Sequence, residues 1–562
     1  MQIHSDKLNP TNKWMKKVLF FLGLFLFVAE VLISQSELPA TYWIQLKDKN
    51  GTQFQISHPE EFLSTRAILR RNRQHIPIDE TDLPVSQTYL DTLKNRGLTI
   101  IHTSKWLNGV TVSTADTALI KKISALSFVS SIQHTKPAIV LKSASQKFRI
   151  EAESSLNPAE YGSAYGQLSL LNGQNLHNSG FRGKGVHIAV LDAGFLNANT
   201  IQAFDSLRNS GRLLAIRDFV NPKSDIYQEN YHGMSVLSCM AANIPGTIIG
   251  TAPGAAYYLF RTEDANTEYL TEEDNWVAGA ELADSLGVDI INSSLGYYEF
   301  DDSLMNHTYA DMNGNKTRVT RAANMAFEKG ILVFTSAGNE GNTTWRHIIA
   351  PADGIKTIGV AAVDNNGARA TFSSVGPAYG GGIKPNLAAT GLGTLLINSS
   401  GNVGYANGTS FSSPVLAGMT ACLLQKFPYA TAKEVKLALE QSGSQFSKPD
   451  SLVGYGIPNF EKAEVYLRTN SSVTLDLPKN WTISPNPFSQ SLFIKKQGSA
   501  MNQTTEIHIY SLQGTCVYRA SFDPCGAIHL TNLANLPEGI LIVKISSGTQ
   551  SEQFKLIKIT SD

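Results

Sequence analysis

The central part of the chain predicts an α/β fold built on a parallel sheet. Two apolar, β-branched runs, residues 186–192 and 331–339, have the length and composition of buried parallel strands. Helix-like stretches of small and apolar residues occur at 232–242 and 415–424. Strands alternating with helices are typical of three layers, with helices on both faces of one sheet.

Three residues with the chemistry of a nucleophilic serine system lie at the ends of these elements, in the order Asp, His, Ser. Asp192 closes the first strand, at the sheet edge where active sites gather. His232 and Ser410 each precede a helix-like stretch, and Gly408 allows a tight turn that would expose the hydroxyl. A serine hydroxyl needs a nearby base and a third group that orients the base. The three residues therefore predict a catalytic triad.

A fourth residue, Asn339, ends the second strand, and its carboxamide can donate a hydrogen bond to an oxyanion. Over roughly residues 162–463, these motifs resemble the subtilisin-like serine peptidases, the subtilases, a family whose triad order is Asp, His, Ser. The resemblance implies a subtilisin-like three-layer fold. It also implies that Ser410 is the nucleophile, His232 the general base and then acid, and Asp192 the orienting carboxylate. Asn339 becomes the oxyanion donor.

The same resemblance implies two walls of a substrate cleft. Ser294, Leu295 and Gly296 match the segment that pairs with the substrate backbone by β-augmentation. Ala337 and Gly338 match the facing wall. Small residues at these positions let a substrate main chain and its first side chain approach closely.

Departures from the family pattern lie beside the reacting groups. Ala193 follows the aspartate where many members have a hydroxyl residue, and Met234 and Ser235 replace the commoner Thr and His. None of these changes removes a reacting group, so we predict a serine endopeptidase that works through an acyl-enzyme intermediate. The alternative is a catalytically silent subtilase fold used as a surface-binding or adhesion protein.

The amino end predicts an export signal over residues 1–36. Three lysines precede an uninterrupted apolar stretch at residues 18–29, and Glu30 follows it. The stretch is shorter than the ~20 residues that span a membrane. A cleaved signal peptide is therefore favoured, and the apolar residues after Glu30 leave an uncleaved anchor as the alternative.

Residues 37–140 predict a small α+β domain. Three strand-like segments and one amphipathic helix occur in this region, at residues 41–46, 110–113, 128–132 and 117–126, respectively. Their position and order resemble the inhibitory propeptides of subtilases. The resemblance implies an intramolecular inhibitor that is separated from a peptidase domain, residues 150–468, by a junction between residues 137 and 155. The alternative is a stable accessory domain.

Residues 480–562 predict an antiparallel β-sandwich. Short alternating segments, such as residues 506–510 and 539–545, are separated by turn residues. Together with the opening residues 484–488, they resemble the carboxy-terminal sorting domains of the type IX secretion system. The resemblance implies export by that machinery across an outer membrane and a secreted or cell-surface location. The alternative is a sugar-binding or adhesive module that stays on the mature protein.

Composition narrows the classes of partner and cofactor. The chain has 562 residues, too many for a single core, and equal numbers of basic and acidic residues, 47 of each. Nothing in this balance favours nucleic acid, so the expected partners are protein or peptide substrates, the chain's own propeptide and the secretion machinery. No Cys/His cluster has zinc spacing, and residues 311–315 depart from a calcium loop and predict a polar surface loop.

We therefore expect no cofactor in catalysis and predict no metal-binding residue, while structural calcium, as in many subtilases, stays open. Cys239 and Cys422 are predicted to be buried, unreactive thiols. The sequence does not decide whether Cys516 and Cys525 form a disulfide.

Overall fold

The computed structural model describes residues 39–138, 160–470, 481–496, 503–511, 514–524, 527–548 and 550–560. The predicted signal peptide and most of the predicted junction, residues 139–155, lie outside the described residues. The chain divides into two compact units at Ser471 and Ser472. Among the described helices, none combines the length and the hydropathy that a membrane span requires.

The amino-terminal domain is an antiparallel sheet with three helices. Its strands run β2-β3-β1-β4 across the sheet, and its elements are β1 (Ala40–Leu46), α1 (Thr65–Arg73), α2 (Gln87–Asn95), β2 (Thr99–Ser104), β3 (Gly109–Thr114), α3 (Thr117–Ile123) and β4 (Val129–Lys136). Every strand and helix predicted from the sequence is present, with α3 three residues shorter than predicted at its carboxyl end. The α1, α2 and β2 elements fall between the predicted segments.

The second domain of the first unit follows the alternation of strands and helices expected from the sequence. Its strands are β5 (His187–Asp192), β6 (Leu213–Asp218), β7 (Asn243–Ile244), β8 (Ile248–Ile249), β9 (Ala256–Arg261), β10 (Ile290–Ser293), β11 (Leu332–Ser336), β12 (Ile358–Val363), β13 (Leu387–Thr390), β14 (Thr394–Ile397) and β15 (Val403–Ala406). Its helices are α4 (Tyr165–Ser169), α5 (Gln174–Asn178), α6 (Asp205–Asn209), α7 (His232–Ala241), α8 (Thr271–Leu286), α9 (Arg318–Glu328), α10 (Thr409–Lys426), α11 (Ala432–Gln441) and α12 (Phe460–Asn470).

Seven parallel strands form the central sheet, in the order β13-β12-β11-β10-β5-β9-β6. Side chains of a strand alternate between its two faces, and β5 shows the effect. Ile188 and Val190 join a core that contains α7 and α10, whereas Ala189 and Leu191 join a core that contains α8 and α9. Helices cover both faces, so the predicted three-layer fold is confirmed.

The amino-terminal domain packs on α8 through buried charges. Arg70 and Arg71 of α1 both bind the carboxylate of Asp284, at 2.5 and 2.8 Å. Lys105 binds its second oxygen at 3.0 Å, and Asp82 binds Arg71 at 2.9 Å. These five side chains are buried, and we call them the Asp284 cluster.

Other bonds extend this interface along α8. The Glu281 carboxylate accepts hydrogen bonds from the Ser104 hydroxyl and from the backbone N–H groups of Lys105 and Trp106. Trp43 and Trp106 add apolar contacts to the α8 and α9 core. The domain is thus attached by ion pairs in which it supplies the cations and α8 supplies the carboxylate.

The second unit is all β, as predicted. One sheet has the order β16-β17-β20 and the other β19-β18-β21-β22, from β16 (Trp481–Ser484), β17 (Leu492–Lys496), β18 (Thr505–Ser511), β19 (Cys516–Phe522), β20 (Ala527–Leu530), β21 (Gly539–Ser547) and β22 (Gln550–Lys558). Alternate residues of both sheets, such as Ile494, Ile507 and Val543, fill one apolar core. Cys525 lies outside the described residues, so its pairing with Cys516 stays open.

Candidate active site

Asp192 and His232 meet at the carboxyl edge of the sheet. Asp192 is the last residue of β5 and His232 the first residue of α7, and Nδ1 of the imidazole lies 2.7 Å from Oδ1 of the carboxylate. Burial raises the pKa of Asp192, while the charge of His232 and its hydrogen bond lower it in part. This hydrogen bond fixes the ring so that Nε2 is left for proton transfer.

The departure at Ala193 has a local consequence. Its backbone N–H donates to Oδ1 of Asp192 at 2.8 Å, but an alanine side chain has no donor to offer. Oδ2 of Asp192 is buried without a hydrogen-bond partner in the described part of the chain. The carboxylate is therefore oriented through one oxygen, the one that also binds the imidazole.

Ser410 lies in the first turn of α10, and its position depends on Pro414. A proline has no N–H, so the carbonyl of Ser410, four residues earlier, has no partner within the helix. The hydroxyl of Ser294 donates to that carbonyl at 2.6 Å. In return, the Ser410 hydroxyl donates to the carbonyl of Ser294 at 3.3 Å. The candidate nucleophile is thus joined to one wall of the cleft by two hydrogen bonds.

Asn339 follows β11 and faces the start of α10. Its Oδ1 accepts hydrogen bonds from the N–H and the hydroxyl of Thr409, each at 2.9 Å. Because these bonds occupy the oxygen, the NH₂ group is left as the donor. The Ser410 N–H is one of the first four of the helix, which have no partner within it. Two donors are therefore available beside the Ser410 side chain.

A cleft of about 520 Å³ contains most of the predicted residues. Its lining includes His232, Ser410, Asn339, Ser294, Leu295, Gly296 and Gly338. Asp192 is fully buried behind the imidazole. Ala337 is not part of the lining, because its side chain packs in the interior with Ile348 and Ala378.

Sequence reasoning missed two features of this cleft. The first is Ile349, which is part of the lining. The second is the acidic character of the cleft: its described lining contains no lysine or arginine but has five acidic residues, Glu263, Glu268, Glu299, Asp301 and Glu340. These residues come from loops far apart in the chain, so no local motif contains them. The carboxylates concentrate negative charge at the site.

Three carboxylates form a group that could hold a cation. Ligand oxygens of Glu263, Glu268 and Glu272 lie within 4.8 Å of one another. Tyr297 donates its hydroxyl to Glu263 at 2.9 Å. The residues come from the loop after β9 and from the first turn of α8, a spacing unlike a continuous calcium loop.

The two buried cysteines lie on the helices that carry His232 and Ser410. Cys239 of α7 and Cys422 of α10 are both fully buried, and burial raises the pKa of each thiol well above its ordinary value. A thiol that does not ionise is a poor nucleophile. Both act as core residues, as their sequence positions predict.

Similarity to known proteins follows the same domains. The model of the subtilase family matches residues 183–456. A peptidase S8 propeptide domain of Bacteroidota matches residues 41–150, and a secretion system C-terminal sorting domain matches residues 482–559.

Individual relatives cover the central region. A thermostable alkaline protease of Halalkalibacterium halodurans is 29% identical over 297 residues, which is 53% of this chain and 72% of the relative. The subtilisin of Bacillus pumilus is 30% identical over 300 residues, or 53% of this chain and 97% of the relative. Subtilisin E of Bacillus subtilis is 30% identical over 300 residues, covering 70% of its length.

The chain belongs to the subtilase family, and it is a subtilisin-like serine endopeptidase. More particularly, it is a precursor whose propeptide domain is of the Bacteroidota type. Its sorting domain is that of the type IX secretion system and indicates export to a secreted or cell-surface location. Enzymes of the subtilase family hydrolyse peptide bonds without a cofactor.

Proposed function

We propose that the chain hydrolyses peptide bonds through a triad of Asp192, His232 and Ser410 and an acyl-enzyme intermediate. The observation that carries this proposal is the 2.7 Å bond between His232 Nδ1 and Asp192 Oδ1, in a cleft that His232 shares with Ser410. An imidazole oriented by a buried carboxylate is the base that a serine nucleophile requires.

In the proposed reaction, Oγ of Ser410 attacks the substrate carbonyl and gives its proton to Nε2 of His232. Asp192 stabilises the imidazolium that forms. His232 then donates the proton to the leaving amine, and water, activated by the same imidazole, releases the acyl group. The Ser410 hydroxyl first leaves the Ser294 carbonyl, because a single O–H cannot donate fully to both acceptors.

The oxyanion would receive two donors, the NH₂ group of Asn339 and the backbone N–H of Ser410. Thr409 supports the first by holding the amide oxygen. The second gains from its place in the first turn of a long helix, where the helix dipole is positive. Fixed donors of this kind stabilise charge that develops in the transition state without reorganising.

The substrate backbone would pair along residues 294–296 by β-augmentation, and Gly338 would face it. The substrates are proteins or peptides, and the propeptide domain is the intramolecular inhibitor until it is removed. The acidic lining supports substrates whose bound segment is neutral or basic, because each carboxylate would repel an acidic side chain.

The test is Ser410→Ala in the full chain. We expect kcat to fall by as much as ~10⁶ with the fold retained, because the nucleophile is lost while its neighbours remain. The matched control is Ser412→Ala, which removes a hydroxyl of the same helix that has no hydrogen-bond partner in the described part of the chain. Its activity should stay within a few-fold of the parent.

A fluorophosphonate probe separates this proposal from a catalytically silent fold. The probe should label the parent and Ser412→Ala with equal stoichiometry and should leave Ser410→Ala unlabelled. Near-normal hydrolysis by Ser410→Ala, or a parent that is folded, freed of its propeptide and unreactive towards the probe, would overturn the triad assignment.

A further inference from the structure

The two walls of the cleft are bridged by one side chain, that of Ile349. A Cβ built on Gly296 would lie 2.3 Å from Cδ1 of Ile349, and one built on Gly338 would lie 3.0 Å from its Cγ1. The Cγ1–Cδ1 arm of this side chain therefore lies where a side chain of either glycine would be. Ile349 lines the cleft and is 8% exposed, so its outer surface faces the space between the walls.

The backbone holds Ile349 in this place from both sides. Its N–H donates to the carbonyl of Ala337, in the second wall, at 3.3 Å. The next residue, Ala350, pairs with Tyr297, just beyond the first wall, through two hydrogen bonds of 2.8 and 3.3 Å. The backbone of Ile349 is thus fixed between the two walls, which keeps its side chain at the cleft.

Gly296 and Gly338 indicate which substrate side chains can enter the space between the two walls, which we call the slot. Both walls lack side chains at the point where they face each other, which opens a space for a substrate side chain, and the branched chain of Ile349 closes that space. We expect a hydrogen atom or a methyl group to fit above it, and a benzyl or isobutyl group to overlap it. Inserting such extra volume into a packed site is unfavourable.

We propose that this peptidase cleaves after small residues, alanine, glycine or serine, and that Ile349 sets the limit. The inference rests on the proposed function, because it takes the slot between Gly296 and Gly338 to hold the side chain of the residue whose carbonyl Ser410 attacks. It adds a substrate class and a residue that determines specificity.

The experiment compares two peptide p-nitroanilides that differ only in the last residue, alanine or phenylalanine, with the self-processed protein. For the parent, kcat/KM should be ~10²-fold higher for alanine, since each methylene that does not fit is worth 10-fold or more. For Ile349→Ala, the phenylalanine substrate should gain ~10²-fold and the alanine substrate should change only a few-fold.

The matched control is Ile355→Ala, the same substitution in the same loop at a side chain that is 67% exposed. It should leave the ratio of the two substrates unchanged. A general loss of folding lowers both rates together, whereas relief of the slot raises one and inverts the preference. If Ile349→Ala does not fold, Ile349→Val should shift the ratio in the same direction by ~10-fold or less.

Titration of active sites with a fluorophosphonate keeps the two proposals apart. A parent that is titrated but prefers phenylalanine over alanine overturns the role of Ile349 and leaves the triad standing. A parent that is neither titrated nor active overturns the triad, and with it this inference. The parent's own substrate ratio decides the inference even if both variants fail to fold.

Discussion

The helices on the two faces of the central sheet make different kinds of contact. On one side, α10 carries Ser410 and buries an apolar face that includes Val415 and Leu416. On the other side, the propeptide domain is attached to α8 through the Asp284 cluster, with two tryptophans beside it. The first contact is mainly apolar, with isolated hydrogen bonds such as that from Ser413 to Asn292, whereas the second depends on several buried charges.

The difference distinguishes the permanent part of the fold from the part that can leave. Separating the apolar layers would expose hydrocarbon to water and is unfavourable in proportion to its area. Separating the charged interface returns Asp284, Arg70 and Lys105 to water, which solvates all of them well. A complete buried ion pair adds little net stability, because desolvation offsets the attraction, but the loss of one partner is strongly unfavourable. This interface is therefore specific without being irreversible.

The largest expected effect comes from breaking the Asp284 cluster. In a Ser410→Ala background, which should prevent self-cleavage, Asp284→Asn should destabilise the docked propeptide domain by about 3–5 kcal/mol. The substitution leaves the buried cations of Arg70 and Lys105 without their carboxylate partner, whereas Arg71 keeps Asp82. Amide hydrogen exchange of β1 and β3 measures this effect, because easier opening of the domain makes these amides exchange faster.

The matched control is Asp205→Asn, which removes an exposed carboxylate paired with Arg208 and should cost less than about 1 kcal/mol. If the two variants have equal effects on hydrogen exchange of the propeptide strands, the Asp284 cluster does not hold the domain.

A somewhat smaller effect is expected on the apolar side. Leu416 of α10 is fully buried, and Leu416→Ala should lower the free energy of unfolding of the peptidase core by about 2–5 kcal/mol. Because the loss is one of packing, denaturant unfolding should give the same difference at low and at high salt. A strong salt dependence would contradict the apolar character of this layer.

The smallest of the three is a pH effect. His177 is buried between Tyr161 and Thr251, and burial lowers its pKa to about 4. Between its ordinary pKa of about 6.5 and pH 4, the unfolded chain binds a proton that the folded core does not, so stability falls as the pH falls. This contribution is up to about 3 kcal/mol. His177→Gln should reduce the difference in the free energy of unfolding between pH 7 and 4.5 by that amount, while the pH dependence due to His187, whose pKa burial also lowers to about 4, should remain.

Asp284 should contribute no pH dependence over this range. Burial raises its pKa, but Lys105, Arg70 and Arg71 outweigh burial and hold the pKa well below its usual value. The stability that its charge contributes is present above the unfolded pKa of about 4 and is lost only in stronger acid. The effect of Asp284→Asn should therefore be the same at pH 7 and pH 5, and a difference would show that the carboxyl titrates in between.

The same contrast explains what the sequence could predict. Asp192 ends a strand and His232 begins a helix, while Ser410 lies in the first turn of a helix and Asn339 follows a strand. All four lie beside elements with a clear hydrophobic pattern, so their joint occurrence in the sequence predicted the candidate site and the sheet. Arg70 and Arg71 have no such signal, because two arginines on a helix are typical of a solvated face. Their partner, Asp284, is more than 200 residues away in the chain.

Ile349 was missed for a related reason. An isoleucine next to Ile348 is typical of an ordinary core strand, and only the approach of residues 296 and 338 from separate loops gives it a role. Patterns along the chain reveal which residues are buried or reactive. They do not reveal which distant backbone segments a buried side chain will lie between.

Pro414 has a consequence that reaches beyond its own helix. Because it leaves the carbonyl of Ser410 unbonded, the hydroxyl of Ser294 takes that position, and the segment that would hold the substrate strand becomes mechanically tied to the turn that carries Ser410. A shift of one segment would be transmitted to the other through the two hydrogen bonds between Ser294 and Ser410. Binding of a substrate strand along residues 294–296 is therefore expected to affect the alignment of Ser410.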